Sequence, residues 1–306
     1  LGYYNLDDYT REPESVVAFC EEYIESIRPK ITHDSISPYV KVTKLFGEFF
    51  GHSRTFADVT YEEADKFKTQ LLTGAMNRYK RNYKKNTVNT YLNRMKIMFD
   101  EAMKRGNLTH KRMNVFAEVG EWKVEKIIKP YINTQEYKQL NENMCVCKPI
   151  ARAFKFSILT GLRTGDIMAL RWKDIQRDVK GWHTYINMQK TADPIRVALT
   201  DEHFKLMGER GHDNEVIFDY TMSNLEYTYF YTWIKATFGE SKEVGETNNG
   251  IVFHSGRASF ITNMLMRGTP AVRVQTYVGH ADLKTTLSYY RGSTEMQEVD
   301  MNAYID

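Results

Sequence analysis

Four runs of apolar residues at helical spacing fill most of positions 15–106, and they leave little room for anything but a helical bundle. In SVVAFCEEYIESI (15–27), Val16, Val17, Phe19, Cys20, Tyr23, Ile24 and Ile27 share one helix face, and Pro29 stops the run. YVKVTKLFGEFFG (39–51) turns Val42, Leu45, Phe46 and Phe49 inward and ends at Gly51. Thr60, with Glu63 three residues on, forms a capping box ahead of TYEEADKFKTQLL (60–72). The last run starts at Asn86 or Thr87, carries Val88, Tyr91, Leu92, Met95, Met98, Phe99 and Met103 as its stripe, and closes at Gly106. Such stripes build a core rather than a ligand box, so residues 1–117 are expected to form a compact domain of four or five helices.

Charge is distributed unevenly over that domain. Residues 1–65 hold 6 Lys/Arg against 13 Asp/Glu, whereas residues 66–112 hold 13 Lys/Arg against only Asp100 and Glu101. A basic block of this kind suits a solvated helix face. Its aromatic and Asn interleaving, RYKRNYKKNTVNTYLNRMK (78–96), also suits a surface that lies on phosphates.

Residues 118–131 read as a linker or strand, with Lys and Glu alternating with apolar residues up to Pro130. A second domain, 132–306, begins with a helix at Thr134. IARAFKFSILTG (150–161) is an apolar helix ended by Gly161, and GDIMALRW (165–172) a shorter one. GWHTYINMQ (181–189) and IRVALT (195–200) are β-like runs around an Asp193–Pro194 turn, a hairpin or part of a three-stranded sheet. No window has the ~18 uncharged apolar residues needed to span a bilayer, and the opening LGYYNLDDYTREPE is too polar for a signal peptide. Cys20, Cys145 and Cys147 are too few for a disulfide framework, and the Cys145/Cys147 pair lacks the further ligands a zinc site needs. Free thiols in a reducing cytoplasm follow.

The chemistry-bearing residues lie in the second domain. Arg163 sits just past Gly161, between two helices, where a guanidinium can hold a phosphate bidentately and Asp166 can orient it. An ordinary surface Arg–Asp pair would look the same. His254 and Arg257, in HSGR (254–257), are three apart on a helix and point one way. Further on, Gly268 ends a helix, Thr269 caps the next, and AVRVQTYV runs to Gly279. His280 follows in the turn, and Thr285–Thr286 head a last short helix carrying Tyr289 and Tyr290. This brings a histidine and a tyrosine hydroxyl to one edge of a helical pair.

The order R…K…HxxR…GHxxxxTTxxxY resembles the tyrosine recombinase family, also called the phage or lambda-type integrases. TGLRTGDIMALRW (160–172), QKTADPIRVAL (189–199), HSGRASFIT (254–262) and VGHADLKTTLSYY (278–290) fall in family order, and NTVNTYLNRMKIMFDEAMKRGNL (86–108) resembles its N-terminal domain. The resemblance implies a mainly α fold: a helical core-binding domain, a SAM-like bundle, followed by an α-rich catalytic domain with a small antiparallel β-sheet. It implies that Arg163 and Arg257 are the clamp arginines, Lys190 the β-hairpin lysine, and His254 and His280 the two histidine positions. Tyr289 matches the nucleophile, with Tyr290 as the alternative. The family often has a His after Arg257; here Ala258 stands there.

The activity implied is site-specific recombination, or integration, of DNA from a bacterial mobile element. Strands would be cut and rejoined through a 3′-phosphotyrosine, with no metal, ATP or other cofactor. The implied partners are double-stranded DNA, three further copies of the chain exchanging C-terminal tails (RGSTEMQEVDMNAYID, 291–306), and an accessory DNA-bending protein. The Leu at position 1 leaves room for an arm-binding domain ahead of it. The rival readings are a type IB topoisomerase-like relaxing enzyme and a DNA-binding protein without catalysis.

Overall fold

Short side chains placed one step ahead of each helix fix where the helices of the first unit start. In the computed structural model, which describes residues 15–74, 82–106, 113–124, 129–186, 194–239, 242–243 and 250–290, the Ser15 hydroxyl accepts from Ala18 N–H and begins α1 (Val16–Ile27). Thr32 caps α2 (His33–Phe50). That start lies six residues before the expected Tyr39, with Pro38 inside the helix: a proline near the N-terminus removes only one ladder bond, and the Thr32 cap with Asp34 in the first turn outweighs it. The Thr60–Glu63 capping box begins α3 (Tyr61–Thr73) as the sequence predicts, with Thr60 N–H donating to Glu63 Oε2 at 3.1 Å. α4 (Lys85–Lys104) has Lys84 at its N-cap and no side-chain cap. α5 (Val115–Glu118) is set by Asn114, whose amide also donates to Lys96 O and Asp100 Oδ1, both at 2.8 Å.

These helices bury one aromatic core. Phe99 packs edge-on against Phe56 and Phe116, with centroids 4.9 Å apart in each pair, and Phe46 and Phe67 close the cluster. The basic block is only partly a solvated surface. Lys68 is buried, donates to Val119 O at 3.0 Å and lies over the Trp122 ring. Lys96 is bonded to Asp100, Arg105 to Glu101 and Glu22, and Arg94 stacks on Tyr39. Lys66, Lys84 and Lys85 are exposed, while Arg78, Lys80, Arg81, Lys111 and Arg112 lie outside the described residues.

The chain divides into two compact units, Leu1–Lys126 and Ile127–Asp306. The division falls within the segment read as a linker, whose described ends are packed rather than loose. Val119 is in the first core, and Asn89 exchanges two hydrogen bonds with the Trp122 backbone. At the start of the second unit, Ile132 N–H donates to Ser259 Oγ, and Asn263 donates to Ile132 O.

The second unit runs α6 (Thr134–Gln139), α7 (Lys148–Thr160), α8 (Thr164–Ala169), β1 (Ile175–Asp178), β2 (Gly181–Ile186), β3 (Ile195–Ala198), α9 (Asp201–Met207), α10 (Asn224–Phe238), α11 (Ser255–Met266), α12 (Ala271–Val278) and α13 (Leu283–Leu287). The strands form a three-stranded antiparallel sheet in sequence order, with Thr184 opposite both Ile175 and Val197. This mainly α fold with a small antiparallel sheet is the expected class. Among the described residues no helix is long and apolar enough to cross a membrane.

α7 and α11 pack tightly, and two glycines allow it. A Cβ on Gly256 would come within 2.8 Å of Ser157. Gly161 ends α7 at φ +68°, and a Cβ there would come within 2.5 Å of the Phe260 ring. Gly161→Ala is therefore expected to lower stability by about 2–4 kcal/mol, from left-handed backbone strain plus overpacking. Urea unfolding of the two forms measures it, and a loss below about 1 kcal/mol would show that Phe260 yields freely.

Candidate active site

The C-terminal end of α12 is the focus of the site. A helix end leaves carbonyls without partners and carries partial negative charge, so it draws cations. Arg257, in the first turn of α11, donates Nη1–H to Gly161 O at 2.7 Å and Nη2–H to Val278 O at 2.5 Å. Arg163, at the N-cap of α8, donates Nη2–H to Gly279 O at 3.2 Å. The two guanidiniums therefore bracket one turn, and Gly279, at φ +62°, lets the chain bend sharply there into His280.

Arg257 is only 2 % exposed, an unusual burial for an arginine. That burial, with Arg163 beside it, pushes its pKa down to about 10, so it stays charged at neutral pH. Asp166 accepts Arg163 N–H through Oδ2 at 3.4 Å. Burial holds the Asp166 carboxyl above the usual range, against the pull of that hydrogen bond and of both arginines. Asp166 thus orients the Arg163 backbone, and its charge also acts on the Arg163 guanidinium.

His280 and His254 complete the rim of the site. His280 Nδ1 lies 2.8 Å from Thr286 Oγ1, and Gln275 donates to the His280 carbonyl. Burial, then Arg257, Arg163, Lys129 and His254, push His280 down to about 4. His254 is the N-cap of α11 and exposed, yet the protein around its ring withdraws water, and Arg257, Lys129 and Arg163 act the same way, so its pKa falls too.

Tyr289 follows α13, whose N-cap is Asp282 and not the expected Thr285–Thr286 pair. Likewise α12 starts after Pro270, with Thr269 one residue too early to cap it. Tyr289 is 5 % exposed and packs with Ala258, Ile261, Leu265, Val274 and Val278. Its ring stacks on His280, centroids 6.1 Å apart at 12°, and Lys129 Nζ stands 4.2 Å from its centroid. Tyr290 sits on the rim of the same cluster, with none of these ring contacts.

The structure thus brings together Arg163, His254, Arg257, His280 and Tyr289; Lys190 lies outside the described residues. The sequence reading missed Lys129 and Thr286. Lys129 gives no signal inside a run of alternating Lys and Glu, and in the sequence Thr286 looks like a helix start. Among the described residues no group of three or more His, Cys, Asp or Glu could hold a metal ion.

Known proteins resemble the chain in sequence and in fold. Residues 15–119 match the phage integrase SAM-like domain. The ICEBs1 integrase of Bacillus subtilis (strain 168) is 25 % identical over 289 residues, covering 81 % of this chain and 71 % of that protein. The chain spans half or less of two other curated relatives. In fold, it is similar to the Tn1549 transposon integrase in complex with transposon right end DNA, at TM-score 0.69 and 17 % identity over 96 % of this chain and 100 % of that one. A lambda integrase tetramer bound to a Holliday junction also superposes, at TM-score 0.69 and 17 % identity over 98 % of this chain and 84 % of that one. Residues 130–296, more than half of the chain, match the phage integrase family, and the chain belongs to that family of tyrosine site-specific recombinases.

Proposed function

We propose that the chain cuts and rejoins double-stranded DNA at a specific site through a 3′-phosphotyrosine link to Tyr289. The observation that carries this is the convergence of Arg163 and Arg257 on the turn that leads into His280, with Tyr289 stacked on that histidine. In the cleavage step the Tyr289 hydroxyl oxygen bonds to the scissile phosphorus and the bond to the 5′-oxygen breaks. His254 accepts the tyrosine proton, and Lys190 gives a proton to the leaving 5′-oxygen. The bond energy is kept in the phosphotyrosine, so rejoining needs no ATP, and no step is routed through a metal.

The barrier is mainly one of charge, because the transition state is more anionic at its equatorial oxygens than the substrate. The Arg163 and Arg257 guanidiniums and the two histidines oppose that charge. The guanidiniums are held by backbone carbonyls before DNA arrives, which reduces the reorganisation needed in the reaction. Strand exchange would proceed in a tetramer whose tails dock on neighbouring protomers, with a DNA-bending protein as an accessory. Tyr289 stacks on the His280 of its own chain, which supports attack in cis.

A nicked duplex that lets the strand beside the break diffuse away tests the proposal. A covalent protein–DNA adduct that maps to Tyr289 is the expected product, and failure to form one on any site from a random library would overturn it.

Acid should weaken the fold through His280. His280 titrates at about 4 when folded, against an ordinary 6.5. Between these values the unfolded chain binds more protons, so stability falls as pH drops from about 6.5 toward 4. His280→Gln, which has no imidazole to titrate, should flatten that fall. Urea unfolding at about pH 7 and about pH 5 measures both, and an equal pH dependence in His280→Gln would refute the link.

A further inference from the structure

Thr286 is fully buried in α13, and the chemistry above does not use it. Its hydroxyl lies 2.8 Å from His280 Nδ1, and its carbonyl accepts Tyr289 N–H at 3.1 Å. Helical threonines commonly turn the hydroxyl back onto the carbonyl four residues earlier. Thr90, Thr228, Thr237 and Thr276 do so here, on Asn86, Asn224, Trp233 and Val272. The Thr286 hydroxyl is bonded to His280 instead.

A neutral imidazole has one N–H, and the hydrogen bond at one ring nitrogen decides which nitrogen carries it. A hydroxyl that donates to Nδ1 leaves the proton on Nε2, where it can serve a phosphoryl oxygen. The other tautomer would present a lone pair to an anion. The charged and titratable groups facing His280 are Arg257 from α11, Arg163 from the turn before α8, Lys129 from the segment before α6, His254 from the start of α11, and the stacked Tyr289 after α13. Once a phosphate is bound among them, a donor on Nε2 is favoured.

We propose that Thr286 is a positioning residue: its hydroxyl holds His280 as the Nε2–H tautomer toward the scissile phosphate, and its carbonyl ties the same turn to Tyr289. The inference rests on the phosphotyrosine reading, and it deepens the role of that site. Thr286 touches neither the phosphate nor the leaving group; it acts through two residues that do.

The test uses the intact chain on the nicked duplex under single-turnover conditions. Thr286→Val keeps the shape and removes the hydroxyl, and is expected to slow adduct formation about tenfold or more. Duplex affinity should stay within about twofold, and Thr286→Ser should recover the wild-type rate to within about threefold. In a His280→Gln background Thr286→Val should add no further loss, because the effect runs through the ring. Nitrogen-15 spectra of the histidines in the duplex complex give a readout independent of cleavage: Nε2 protonated in the wild type, mixed tautomers in Thr286→Val. Should valine unfold the unit, Thr286→Ala makes the same comparison. Wild-type speed in Thr286→Val, equal slowing in Val and Ser, or an undiminished Val effect without His280 would each overturn the proposal. Failure of the phosphotyrosine reading looks different: no adduct would form in the wild type, or it would persist in Tyr289→Phe, whatever Thr286 does to the His280 spectrum.

Discussion

Tyr289→Phe is expected to abolish the covalent protein–DNA adduct while leaving the fold and the affinity for DNA in place. The substitution removes one oxygen and little else. The ring can keep its place among Val274, Val278 and Leu265, its stack on His280 and its contact with Lys129. Deleting a nucleophile removes the covalent route itself, so the loss should be on the order of 10⁴-fold or more. Tyr290→Phe should cleave at close to the wild-type rate, since that ring lies on the rim of the cluster. The two variants form a matched pair on the nicked duplex. An adduct kept in Tyr289→Phe and lost in Tyr290→Phe would reverse the assignment.

That assignment rests on information the sequence alone does not carry. Spacing places Tyr289 nine residues after His280, but it leaves a neighbour with the same side chain. The choice depends on how the chain turns after α13, which tertiary packing decides. The helices of the first unit were legible because their signals are local: a stripe at helical spacing and a cap one step ahead. The start of α2 was not, because Pro38 looks like a stop until the Thr32 cap is seen to outweigh it. β1 escaped notice because IQRD buries only its first residue and so shows no alternation. The basic block was half misleading, since Lys68, Lys96 and Arg105 serve the interior or their own helices. In the site, residue types were readable from order, but not their supports. The carbonyls that hold Arg257 come from positions 96 and 21 residues away, and Lys129 arrives from a segment with no motif at all.

Those supports set the second large expected effect. Arg257→Lys should lower the rate of strand cleavage by about 10²–10³-fold, although it keeps the positive charge. A guanidinium is a flat fork, and here it reaches the carbonyl ending α7 on one side and that ending α12 on the other. An ammonium is a point on a flexible stem and cannot hold both. One of two buried carbonyls would then lose its partner, costing about 1–3 kcal/mol of stability, and the turn carrying Gly279 and His280 would be free to shift. The catalytic loss and the stability loss therefore have separate sources and can be measured separately. Urea unfolding reads the first-unit core and the second unit in one experiment, and anisotropy reads DNA affinity, which should change by less than about tenfold because many other contacts supply it. Single-turnover cleavage then reports what the fork does for the transition state beyond binding. A lysine variant that cleaves within about threefold of the wild type would mean that charge alone suffices at this position, and that the buried fork is a structural brace rather than part of the clamp.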